Sequence, residues 1–216
     1  MRHIIATVHY YMRALSCSLG CINNQPLYTL FMVISVVFNA AKRRRSIRSY
    51  LEKEIEDEKL NLILESARLA PSASNAQDWF FYVVKDKEKR VKIASSMPFG
   101  MNPFLKDAPI IIVGCKKTSG LLQMASKAIV RKSWSEINVT IALENMALTA
   151  ADMDIGSCWI GLFDEQKIKS ILSISAEHEI VALLPIGYPT TPSTEESIGG
   201  VQSKSRLTLN EIVKVI

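Results

Sequence analysis

The stretch from residue 133 to 153 most constrains what this chain can fold into. Ser133-Trp134-Ser135-Glu136 has capping-box spacing, and the helix it opens runs to about Met153 with apolar residues over most of its surface. Such a helix is buried on several sides. It is either a core element or part of an interface between copies of the chain, and other segments must cover it.

Three apolar runs can supply that cover as strands: Trp79 to Val84, Ile110 to Gly114 after Pro109, and Ile180 to Ile186 before Gly187-Tyr188-Pro189. Helical periodicity lies between them. Leu60, Ile63, Leu64 and Ala67 follow i, i+3, i+4, i+7, with Asp57 as the expected cap and Pro71 marking the end. Asp86 to Ser95 reads as a helix with exposed Lys and Glu, and Asp164 caps another that runs to about Leu172. Ser157 to Leu162 is expected to be a short strand or extended turn, and Leu207 to Val215 a terminal helix or strand. Helices and strands mix without strict alternation, which favours α+β over a doubly wound sheet.

At 216 residues the chain is most simply one domain, with no linker, repeat or low-complexity tract after residue 42. Its nine glycines form no G-x-G-x-x-G after a strand, and there is no P-loop, so a tightly held dinucleotide or a P-loop nucleotide is not expected. No Ser-His-Asp constellation can be proposed; His178, between Glu177 and Glu179, reads as a surface histidine. Cys17, Cys21, Cys115 and Cys158 have neither disulfide nor zinc spacing. Cys115 and Cys158 are expected to be buried and reduced, as in the cytoplasm, and no metal site is expected.

Residues 1–31 are expected to be an extension outside the folded domain, which would span 32–216 with Met32 as a natural start. The apolar string Leu27 to Ala41 is followed by Lys and Arg, as in a signal anchor, but its fifteen residues fall short of the ~20 that a bilayer core requires. The favoured reading is an amphipathic first helix over residues 33–42, with no membrane partner.

The excess of 26 Lys plus Arg over 21 Asp plus Glu is concentrated in Lys42-Arg43-Arg44-Arg45-Ser46-Ile47-Arg48. Guanidinium forks match phosphate oxygens bidentately, and the serine adds a neutral donor that can approach closely. A lone basic run is more often solvated surface or a nonspecific nucleic-acid patch. Two further segments change that balance: the small polar stretch Pro71-Ser72-Ala73-Ser74-Asn75-Ala76-Gln77-Asp78-Trp79, and the basic pair in Lys204-Ser205-Arg206.

In this order, with Ala142-Leu143-Glu144-Asn145-Met146-Ala147-Leu148 and Gly156-Ser157-Cys158-Trp159-Ile160-Gly161 between the last two, the segments resemble the nitroreductase family of FMN-dependent oxidoreductases from about residue 33 onward. The resemblance implies a three-layer α/β/α sandwich with a mostly antiparallel central sheet, assembled as a homodimer with flavins at the interface. It implies that Arg44, Arg45, Ser46 and Arg48 hold the FMN phosphate and reach the pyrimidine edge, and that Lys204 and Arg206 complete the clamp. Pro71, Ser72, Ala73, Ser74 and Asn75 would pack on the ring from the other subunit. Gln77 would either join them or satisfy the turn backbone. Trp159, Ile160 and Gly161 would line the opposite side, with a backbone N–H near the flavin N5, and Asn138 would reach the cofactor from the long helix. Many larger members carry an acid where Gly161 stands, a departure that bears on acceptor choice rather than on flavin binding. Trp79 is read as core.

No side chain need be a nucleophile or base, because the flavin carries the chemistry. The implied activity is ping-pong hydride transfer from NADH or NADPH, through flavin N5, to nitroaromatic, quinone or similar small-molecule acceptors. Residues 97–132 are the expected substrate lid. Dehalogenation and dehydrogenation also occur in the family, and fold does not choose among them. The rivals are a membrane-anchored reductase and a colourless basic module whose nucleic-acid binding is steeply salt-dependent; no aromatic residues interleave the basic run to favour the latter.

Overall fold

The structure, a computed structural model, describes residues 35–117, 134–191 and 206–216. The elements are α1 (Val36–Arg43), α2 (Asp57–Arg68), β1 (Trp79–Val84), α3 (Lys87–Ser95), β2 (Ile110–Lys117), α4 (Trp134–Asp152), β3 (Gly156–Ser157), α5 (Glu165–Leu172), β4 (His178–Gly187) and α6 (Leu209–Ile212). The boundary between two compact units, Met1–Asn39 and Ala40–Ile216, falls inside α1. The sheet and the candidate site both belong to the second unit.

The four strands form one antiparallel sheet in the order β1-β2-β4-β3. Because side chains alternate across a strand, the sheet feeds two cores. Ile110, Ile112, Ala182, Leu184 and Ile186 pack with Leu60, Ile63 and Ala67 of α2 and with Val139, Leu143 and Met146 of α4. Ile111, Val113, Cys115 and Leu183 turn the other way, toward Ile93 of α3 and Ile168 of α5. Helices on both faces make the expected three-layer α+β arrangement.

Helix α4 is covered as its composition requires: Val139, Ala142, Leu143, Met146, Ala147 and Ala150 are all inaccessible to solvent. Leu143 lies so close to β2 that a Cβ on Gly114 would come within 2.6 Å of its Cδ1, so glycine is what admits the helix to the sheet. The register of β2 against β4 shifts between Gly114 and Cys115, a bulge where the backbone adapts to that approach. The Ser133 part of the expected capping box lies outside the described residues.

Local expectations differ at three places. Glu56, not Asp57, occupies the N-cap of α2 and makes no capping bond, because its carboxylate accepts the Tyr188 hydroxyl and pairs with Lys53 and Lys59. This holds the Glu56 carboxyl down at about 2, chiefly through the Tyr188 hydrogen bond. β1 is only partly buried, with Phe80 exposed, since it is the edge strand. His178 is not a free surface group: it is half-buried, with Nδ1 2.7 Å from the Tyr82 hydroxyl and its ring stacked on Phe80.

Asp86 and Asp164 cap α3 and α5 by accepting the Lys89 and Lys167 N–H groups. Cys115 and Cys158 are buried free thiols, and desolvation pushes Cys115 up to about 12. No described helix is long and apolar enough to cross a membrane. Residues 33 and 34, and most of the apolar string before α1, lie outside the described residues.

Candidate functional site

The basic run leaves α1 and enters the sheet. Ile47 N–H donates to Ser157 O at 2.9 Å, and Ser46 forms a parallel bridge with Ser157, so the segment lies beside β3. Tyr50 braces the turn from below by donating its hydroxyl to Ile47 O at 2.8 Å and to Pro185 O at 3.3 Å. Burial raises the Tyr50 phenol well above its usual range, so it remains a donor. Close approach again depends on a glycine: a Cβ on Gly156 would lie 2.6 Å from Ile47 Cγ1.

Within this frame the guanidinium groups diverge. Arg44 Nε pairs with Glu144 Oε1 of α4 at 3.2 Å. Arg45 folds back, its Nη1 donating to Lys42 O and Arg44 O, where it satisfies carbonyls at the end of α1. Arg48 is exposed, with one long contact of 3.4 Å to Ser46 O. Arg43, which the sequence reading did not select, pairs with Asp152 at 2.7 Å. Arg45 and Arg48 have no carboxylate partner among the described residues, so the site keeps an excess of positive charge.

Cys158, next after β3, is buried in the second core. Burial pushes that thiol up, opposed by the Arg48 guanidinium, the Ser46 hydroxyl and Arg44. Trp159 is half-buried, and its indole N–H donates to Glu144 Oε2 at 3.1 Å. Ile160 belongs to the core, with its N–H and C=O both bonded to Leu183. The N–H of Cys158 is likewise committed, to Pro185 O. Gly161 is exposed, its N–H has no hydrogen-bond partner among the described residues, and a Cβ there would meet nothing within 4 Å.

The small-residue loop is built differently. Ser74, Asn75 and Gln77 all have positive φ, at 52°, 53° and 47°. Such backbone strain in non-glycine residues concentrates where a surrounding structure demands it. Ser72 Oγ accepts the Gln77 N–H at 3.0 Å, and Gln77 Nε2 donates to Asn75 O at 3.2 Å and to Asn75 Oδ1 at 3.0 Å. The Gln77 side chain thus donates to the turn backbone. Pro71, Ser74, Asn75 and Gln77 are exposed, and Ser72 and Ala73 half-buried.

Asn138 is 2% exposed, and both ends of its amide are engaged inside the protein. Oδ1 accepts the Ala73 N–H at 3.0 Å, and Nδ2 donates to Asp78 Oδ1 at 2.9 Å. Its place is under the loop, where it anchors backbone instead of presenting a free amide outward. Trp79 packs against the first core, as expected. Lys204 lies outside the described residues. Arg206 is exposed, in a terminal stretch, 206–216, none of which is buried.

Glu144, which sequence reasoning passed over, joins Arg44 to Trp159 across this site. Its signal was a lone acid between Leu143 and Met146 in an apolar helix.

A protein-family comparison identifies the class: the chain belongs to the nitroreductase family, whose model matches residues 41–98 and 95–188. A relative from Methanothermobacter thermautotrophicus, named as an NADH dehydrogenase/NAD(P)H nitroreductase, is 33% identical over 165 residues, covering 74% of this chain and 81% of the relative. An iodotyrosine deiodinase from Hydra vulgaris is 25% identical over 204 residues, 79% of this chain and 69% of that one. Among solved structures, an FMN-dependent nitroreductase from Clostridium difficile is 31% identical with a TM-score of 0.61, covering 70% of this chain and 87% of the other.

Proposed function

We propose that this protein is an FMN-dependent reductase that draws on NADH or NADPH, works as a homodimer, and reduces nitroaromatic, quinone or similar acceptors. The observation that carries this reading is the cluster of Arg44, Ser46 and Arg48 laid along Gly156–Gly161 in a chain of this family. The donor set fits the cofactor. Arg45 and Arg48 lack a carboxylate partner among the described residues, Ser46 is neutral, and Gly161, further along the same segment, is exposed, with no hydrogen-bond partner for its N–H among the described residues. When bound, FMN would supply the redox chemistry, accepting hydride at N5 and passing it to the acceptor.

The chain's own part is to hold and orient. Arg44 and Ser46 would take the phosphate, with Arg48 at the polar ring edge and the Gly161 N–H at the N5 side. Lys204 and Arg206 would close the clamp. Arg45, folded on the end of α1, would add charge through its remaining N–H groups. Pro71 to Asn75 of one subunit would lie against the ring held by the other. Asn138 would keep that loop in shape.

Exposed apolar side chains support pairing of two copies: Trp134 and Ile137 on α4, and Leu207, Leu209, Ile212 and Val213 in the tail. Residues 32–216 would form the flavin domain, with 1–31 as an extension. Against a nucleic-acid module, Arg43 and Arg44 are engaged by Asp152 and Glu144 and do not form an open basic stripe.

The test is the visible spectrum of the purified chain with FMN, followed by NADH and NADPH oxidation with a quinone or nitroaromatic. A yellow, active protein is expected, and Arg44→Ala with Arg206→Ala should abolish flavin retention. A wild-type chain that stays colourless and inactive with FMN overturns the reading. A double variant that stays yellow displaces the site.

A further inference from the structure

We propose that Glu144 is a positioning residue, a single carboxylate that sets both how Arg44 is presented and how Trp159 is oriented; the proposal rests on the FMN reading above. Its two oxygens go to two different segments. Oε1 holds Arg44 Nε at 3.2 Å, from the stretch after α1, and Oε2 takes the Trp159 indole N–H at 3.1 Å, from the stretch after β3. The phosphate side and the ring side of the site are thus joined through one side chain of the core helix.

A negative charge beside an anion site would at first sight weaken anion binding. The geometry argues the other way. Glu144 grips Arg44 at Nε, and the terminal Nη1 and Nη2 groups have no partner among the described residues, so the fork that matches a phosphate stays available. Holding the guanidinium in advance removes part of the ordering that binding would otherwise require. The half-buried Trp159 indole likewise has its polar edge satisfied and its plane fixed. The pair is partly exposed, at 22% for Arg44 and 39% for Glu144, so its worth lies in orientation more than in stability.

The experiment measures FMN and riboflavin binding by flavin fluorescence in wild type, Glu144→Gln and Glu144→Ala, with near-ultraviolet circular dichroism of the cofactor-free chains. Glu144→Gln, nearly the same in shape, guards against loss of folding in the alanine variant. FMN should bind about tenfold more weakly to Glu144→Ala. Riboflavin, which has no phosphate for Arg44, should lose less. The dichroism should change in Glu144→Ala but not when Trp159 is already replaced in Trp159→Phe. Glu144→Gln should weaken FMN in the same direction.

If Glu144→Gln binds FMN as tightly as wild type or more tightly, Glu144 is only an opposing charge and the proposal falls. A wild-type chain that binds neither flavin sinks the FMN reading, and this proposal with it. The two failures are therefore told apart by the wild-type titration.

Discussion

Residues 44–50 are held by chain more than a hundred positions away, through Ile47 to Ser157 and Tyr50 to Pro185, whereas residues 71–77 are held mostly by one another. The first segment joins the end of the sheet and has no positive φ. The second has three positive-φ residues and one long-range anchor of its own, Asn138. A segment shaped from afar can keep ordinary backbone, because the sheet decides its path. A segment shaped locally must turn on itself, and its backbone strain is the consequence. Helix α4 serves both, with Asn138 under the loop and Glu144 under the basic run, about 9 Å apart along the axis at ~1.5 Å per residue.

The strongest way to break this contrast is to push the basic run off the sheet. Gly156→Val should cost about 3 kcal/mol through overpacking against Ile47. It should also lower FMN affinity more than any change within the loop backbone. Thermal melts and FMN titration check both. Combined with Ile47→Ala, the two changes should be non-additive, with the double variant more stable than their sum.

Removing the loop's anchor is next in size. Asn138→Ala leaves the Ala73 N–H without its acceptor and takes one donor from buried Asp78, a loss of about 2 kcal/mol in denaturant unfolding. FMN binding by Arg44 should fall less than stability does. Equal loss of both would mean that loop and basic run are one unit, and the distinction would be wrong.

The smallest effect sharpens the account of strain. Ser74→Val puts a β-branched residue at φ 52° and should destabilise by about 1–2 kcal/mol, whereas Ser74→Gly should be close to neutral. A harmless valine would mean that the left-handed turn does not matter to the fold.

What could be read before folding follows from range. The apolar spacing of Leu60, Ile63, Leu64 and Ala67 lies within a few turns, and so does the cap at Asp164; all stand where expected. The basic run and small-residue loop were visible as clusters because their members are consecutive. The failures were contacts between distant parts. Asp57 lost the cap position to Glu56, whose carboxylate is held by Tyr188, and His178 found Tyr82 on the edge strand.

The sequence by itself determined most of the elements, the largely apolar character of α4 and the chemistry available to an anion. Only the tertiary structure decided the strand order, the sharing of Glu144 between Arg44 and Trp159, and which main-chain donors after β3 are engaged, those of Cys158 and Ile160. Helical spacing and capping depend on neighbours in the chain. Which carboxylate meets which guanidinium depends on how α4 lies against β2, and that is set by packing Leu143 over Gly114.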